Sequence, residues 1–253
     1  MKSNYRYIVK AFMAMAVIAG TTSCDDFLDR EPMSSISPET YYSTAAQLEA
    51  NLNDEYPNVL PSFGQWTYGI FGEDKGTDNQ IEVNANDRYT QDRWKVPHSE
   101  SDNWKFERIY RINFFLSEAL PKFGEDMSGS QNTISGSVAT IKHYIGEMNF
   151  LRAYEYFKKL QLFGDFPIIN QPLADEMEAL REASKRFPRN EVARFIISDL
   201  DKAYAYMSDV DMATTRINKD VAMLVKSRVA LFEATWLQNF KGTAFVPGGE
   251  GWP

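Results

Sequence analysis

The chain has 253 residues, with 27 Lys plus Arg against 35 Asp plus Glu, a formal charge of −8, one cysteine and two histidines. One cysteine excludes an intramolecular disulfide and a cysteine-rich zinc site, and the acidic balance argues against nucleic-acid partners. Charged residues at 25% and hydrophobic ones at 43% are ordinary values for a globular protein.

Residues 1–10 carry Lys2, Arg6 and Lys10 and no acid, and residues 11–20 form an uncharged apolar run. A basic start, a short apolar core and the small residues Thr21, Thr22 and Ser23 read as a secretory signal over 1–23. The apolar run is too short to cross a hydrocarbon core of about 30 Å as a helix. The segment ending at Cys24 resembles a bacterial lipobox, in which cleavage precedes the cysteine and its thiol and new amine are acylated. A plain secretory signal with a chance cysteine is the alternative. Cleavage there leaves 24 basic and 35 acidic residues, net −11, so charge would not draw the mature chain to anionic lipid.

Residues 24–37 are polar and read as an extended tether. Ser37-Pro38-Glu39 carries the marks of a helix start, and Thr44-Ala45-Ala46-Gln47 is a possible second capping box. Tyr41, Ala45, Leu48, Leu52 and Tyr56 share one helix face, with Pro57 and Pro61 expected to end it. Residues 61–103 show no helical period and combine glycines, Asp and Asn with Trp66, Tyr68, Tyr89 and Trp94. A loop of that length in a compact domain tends to be functional.

Helical period returns over 102–120, with Pro121 expected to close it, then over 138–163 after a Gly/Ser/Asn-rich loop. Gly164-Asp165-Phe166-Pro167 is the Gly-then-Pro punctuation of a helix end. Further helices are expected over 190–207 and over 219–237, the latter capped by Asn218. Ala222, Val225, Val229, Phe232 and Trp236 form one face of this last helix, and Val221, Leu224 and Leu231 widen it, which predicts burial against more than one neighbour. The chain therefore reads as mainly α, an array of helix pairs like tetratricopeptide units, with long loops.

Several strings, in order, resemble the SusD/RagB family of outer-membrane nutrient-uptake lipoproteins. They are residues 24–32 (CDDFLDREP), 104–113 (WKFERIYRIN), 146–157 (GEMNFLRAYEYF) with 162–168 (LFGDFPI), 195–203 (FIISDLDKA), and 216–219 (RINK) leading into 226–231 (KSRVAL). The resemblance spans almost the whole chain but answers only to the N-terminal part of that family, whose members are longer. It implies a tetratricopeptide-like scaffold over 38–253. It also implies a non-catalytic role: capturing an oligosaccharide or other nutrient oligomer at the outer membrane for a SusC-like TonB-dependent transporter. A protein-binding helical scaffold and a surface glycoside hydrolase are the alternatives.

Sugar binding needs aromatic faces for C–H surfaces and fixed polar groups for hydroxyls. Within the long loop this points to Trp94 as a stacking platform and to Asp74, Arg88 and Asn103 as hydrogen-bonding groups. Packing of Trp94 onto the helices is the competing reading. Phe150-Leu151-Arg152-Ala153 reads as helix packing, and Asp165 as a capping or turn residue. His143 and Glu147 share a helix face at i, i+4, but no third ligand accompanies them, so a structural role is expected and no metal. No phosphate-binding glycine loop or nucleophile elbow appears, and no cofactor is expected.

Overall fold

The computed structural model describes residues 41–61, 103–208 and 212–252. Tyr42 onward makes one compact unit; of the separate unit that ends at Tyr41, only that residue is described. Among the described residues the secondary structure is six helices and a few isolated β-bridges, with no strand.

Helix α1 (Ala45–Val59) begins at the second of the two expected starts. Thr44 Oγ1 accepts from the Gln47 N–H and the Gln47 side chain accepts from the Thr44 N–H, a complete capping box. Tyr41 therefore precedes α1, and the start at Ser37-Pro38 lies outside the described residues. Ser43 and Ala45 also exchange backbone hydrogen bonds with Ser135, tying the helix entry to the loop over 124–137.

Helix α2 (Glu107–Phe123) starts five residues later than the period suggested. Trp104 is drawn out of helical register by an aromatic cluster instead, with ring centroids 4.8 Å from Phe163, 4.9 Å from Phe166 and 5.7 Å from Phe106. Both α1 and α2 run past a proline expected to end them, since Pro57 and Pro121 lie inside the helices, although α1 does stop before Pro61. Each proline forfeits one hydrogen bond in the last turn. Continuing the helix buries Val59 and Phe123 completely, which offsets that loss.

Helix α3 (Val138–Phe163) has the expected bounds. The Ser137 side chain accepts from the Thr140 N–H at its start, and Gly164, at φ +69, closes it by donating to the Leu160 carbonyl. It is buried along most of its length because it is the central helix, packed against α1, α2 and α5 (Arg189–Tyr206). Gly146 sets the approach to α5. A Cβ there would lie 3.0 Å from both the backbone nitrogen and Cγ of Met207 and 3.2 Å from the Ala203 carbonyl oxygen.

A short helix, α4 (Met177–Ala183), was not legible as period; it buries no residue. The i,i+3 ion pair Glu178–Arg181 lies within it, and Glu182–Lys185 spans its end. Helix α6 (Lys219–Phe240) is capped by Asn218, whose side chain accepts from the Val221 N–H. It packs mainly on α5. The narrow stripe of Ala222, Val229 and Glu233 is buried, while Leu224 and Leu231 remain 72% and 66% exposed. The expected burial of the widened face is thus not met within the described chain.

Candidate functional site

Of the residues singled out for binding, Asn103 is described; Cys24, Asp74, Arg88 and Trp94 lie outside the described residues. Asn103 is exposed in a turn, and its backbone carbonyl accepts from the Lys159 ammonium at 2.7 Å. The preceding lysine, Lys158, donates to the Val59 carbonyl at the end of α1. Two consecutive lysines of α3 thus hold the two flanks of the 62–102 segment.

That clamp is electrostatically closed. Glu155, 4% exposed, lies 3.4 Å from Lys158 and 3.3 Å from Lys159. Burial pushes the Lys158 pKa down, with Glu155 opposing the shift. Trp104 anchors the same flank, with the Arg186 guanidinium 4.7 Å above its ring. What the structure adds to the expected binders is how Val59 and Asn103 are held.

A polar spine runs through α3 beneath this region. Its first knot is Glu147, fully buried. It accepts from the Tyr56 hydroxyl at 2.7 Å, from Arg216 Nε at 2.8 Å and Nη2 at 2.6 Å, and from His143 Nε2 at 2.9 Å. The Ser208 N–H donates to His143 Nδ1 at 2.9 Å, so the ring carries its hydrogen on Nε2, shared between Glu147 and the Ile217 carbonyl. The His143–Glu147 pair therefore stitches α1, α3 and the segment before α6 together, the structural role expected of it.

Burial pushes the Glu147 pKa up, but the hydrogen bonds from His143, Arg216 and Tyr56 outweigh it and hold the carboxyl below its ordinary range. The Tyr56 hydroxyl moves up, through burial and through the negative charge it faces. A depressed carboxyl contributes stability that is present above its unfolded value and lost as pH falls through the folded one. Thermal melts from pH 6 to pH 3 should therefore show a steeper acid loss in the wild type than in Glu147→Gln. Equal slopes would contradict the assignment.

The second knot is Arg152, 5% exposed, bidentate to the fully buried Asp199 of α5 at 2.6 and 2.9 Å. Its Nη1 donates to Asn113 Oδ1 at 2.9 Å and to the Asn170 carbonyl at 3.2 Å. The Phe150-to-Ala153 string is thus packing, as read, with a buried cation at its centre. Asp165 also fills the expected capping role: its Oδ1 accepts from the Arg189 N–H at 2.9 Å, serving a helix whose own N-cap is Pro188. The partners Asp199, Glu233 and Arg216 escaped sequence reasoning because each lies 44 or more residues from its mate.

Two clefts flank the spine. One, of about 420 Å³, lies between α2 and α5 over Asn149 and Arg152, with Phe195, Lys202 and Tyr206 along one wall. The other, of about 360 Å³, lies between the C-terminal end of α3 and the 244–252 segment. No group of three or more metal-ligating side chains occurs among the described residues, and no described helix is long and apolar enough to cross a membrane.

A helical array with charged side chains buried as pairs is a fold of the tetratricopeptide-like class. Residues 26–231 match the SusD-like family described as starch-binding, associating with outer membrane, and the chain belongs to that family. It is 25% identical over 233 residues to SusD-like protein P25 of Formosa agariphila, covering 85% of this chain and 41% of the relative. It is 24% identical over 257 residues to SusD-like protein P2 of the same organism, covering 97% and 46%. The chain thus spans less than half the length of these relatives. Among solved structures it is similar to a SusD-like carbohydrate binding protein from Bacteroides vulgatus, at TM-score 0.52 and 17% identity over 77% of this chain and 43% of that one. A SusD-like protein from Bacteroides fragilis gives TM-score 0.53 and 19% identity over 84% and 40%. These likenesses show the helical fold.

Proposed function

We propose that this protein is a lipid-anchored, surface-exposed outer-membrane protein that captures an oligosaccharide and passes it to a SusC-like TonB-dependent transporter, without catalysing a reaction. The match of residues 26–231 to a family described by starch binding and outer-membrane association carries the reading. Acylated Cys24 is the anchor, and Trp94, Asp74, Arg88 and Asn103 are the proposed sugar contacts. Val59 and Asn103, on either side of the segment that holds three of the four, accept from Lys158 and Lys159.

Titration calorimetry of the full-length protein with malto-, laminari- and cello-oligosaccharides tests the reading. One of them should bind, and Trp94→Ala should weaken it about tenfold, the loss expected for one aromatic platform. Unchanged affinity removes Trp94 from the site. Shortened sugars after incubation would overturn the non-catalytic reading in favour of a hydrolase. Co-purification of a TonB-dependent barrel under mild detergent tests delivery; its repeated absence counts against the transporter partner.

A further inference from the structure

The cleft of about 360 Å³ at the C-terminal end of α3 is separate from the loop over 62–102 and has a composition of its own. Trp236, Phe245 and Trp252 give it aromatic walls, and Asp165, Arg186 and Arg189 give it polar ones. Its volume falls within the range of about 300–1,000 Å³ usual for small-ligand sites.

Arg189 makes this more than a surface crevice. The residue is 4% exposed, and its Nε and Nη2 are spent on Glu233 at 2.9 to 3.2 Å. Its Nη1 has no acceptor among the described residues. A Cβ on Gly164 would lie 3.6 Å from that nitrogen, so the glycine leaves room beside it. That nitrogen is a donor left open at the cleft wall. The Trp236 indole N–H, buried beside the same cleft, has no partner among the described residues. Asp165 supplies the opposite function: Oδ1 is committed to the Arg189 N–H, and Oδ2 remains as an acceptor.

The far wall is held in place. Val246 is buried, its carbonyl accepts from the Gly242 N–H at 2.9 Å, and the Gly251 carbonyl accepts from Asn190 Nδ2 at 2.5 Å. Phe245, 62% exposed, therefore projects from an ordered turn. Arg189 is paired with Glu233, and the other two charged side chains of the lining, Arg186 and Asp165, are of opposite sign, so the cleft has no net demand for an anion.

We propose that this cleft binds the ring of a neutral sugar, a second contact for the glycan apart from the long loop. The Phe245 and Trp252 rings take the C–H surface, Trp236 being already stacked by Arg189 and Phe240; Arg189 Nη1 donates to a hydroxyl, and Asp165 Oδ2 accepts from a neighbouring one. The inference rests on the glycan-capture reading for its ligand class, and its place in the fold is independent of Trp94.

The test uses full-length protein and diazirine-bearing maltoheptaose, laminarihexaose and cellohexaose, with photo-adducts mapped by peptide mass spectrometry. Adducts on 160–165 or 244–252 are expected, reduced about tenfold in the exposed-wall variant Phe245→Ala/Trp252→Ala at subsaturating sugar. Trp94→Ala should leave them in place. Adducts on the long loop alone would overturn the cleft and leave glycan capture standing. Adducts on the cleft alone would uphold the cleft and remove the loop site. No adduct from any of the three sugars would overturn both.

Discussion

Replacing Arg152 with methionine should destabilise the protein by about 3–5 kcal/mol, the cost of stripping one partner from a buried ion pair. Asp199 is fully buried, and its two oxygens receive the Arg152 fork at 2.6 and 2.9 Å. Lys202 reaches Asp199 only at 3.4 Å from a half-exposed position and cannot replace that fork. Asn113 Oδ1 and the Asn170 carbonyl would lose a donor at the same time. The double variant Arg152→Met/Asp199→Leu should recover much of the loss, since an apolar pair of similar volume carries no desolvated charge. Urea denaturation of the wild type, both single variants and the double variant would measure this. A single-variant loss under about 1 kcal/mol, the scale of an ordinary surface substitution, would mean that the pair does not hold α3 to α5.

Cys24→Ser should move the protein from the membrane fraction to the soluble one almost completely. On the proposed reading the anchor is the acyl groups on Cys24, and the mature chain's net charge of −11 offers no electrostatic substitute. Several acyl chains bind a bilayer stably, whereas one alone binds marginally and reversibly. Fractionation with intact-mass analysis decides it. The wild type should carry a lipid mass at residue 24 and pellet with membranes. A variant that pellets to the same extent would overturn the anchor.

Helices α3, α5 and α6 were legible to within a few residues because their apolar positions recur at steps of three and four over many turns, between strong punctuation. Gly164 and Asn218 each act where the sequence placed them. The misreadings have physical causes. Pro57 and Pro121 look like stops, yet burial of Val59 and Phe123 carries each helix past its proline. Trp104 keeps helical phase with Ile112 and Leu116, but three aromatic rings from two parts of the chain hold it in a cluster. Helix α4 has too few turns to show a period.

The candidate site was legible only by residue type. Aromatics interspersed with Asp and Asn point to 61–103 as the proposed binding segment, but not to what holds Val59 and Asn103. Nothing in local spacing singles out Lys158 and Lys159, yet Lys159 is 6% exposed and both donate to backbone carbonyls 56 to 99 residues away. The second cleft was hidden for the same reason: Asp165, Arg189 and Trp236 converge only when α3, α5 and α6 are packed.

By itself the sequence determined the helical class, the principal helix caps and the family resemblance, because these depend on local spacing and on short strings. Only the tertiary structure decided how the charges of α3 are paired, what holds Val59 and Asn103 and which polar groups meet in a cleft. Those depend on contacts between residues far apart in the chain, and a buried charge is stable only where such a partner reaches it.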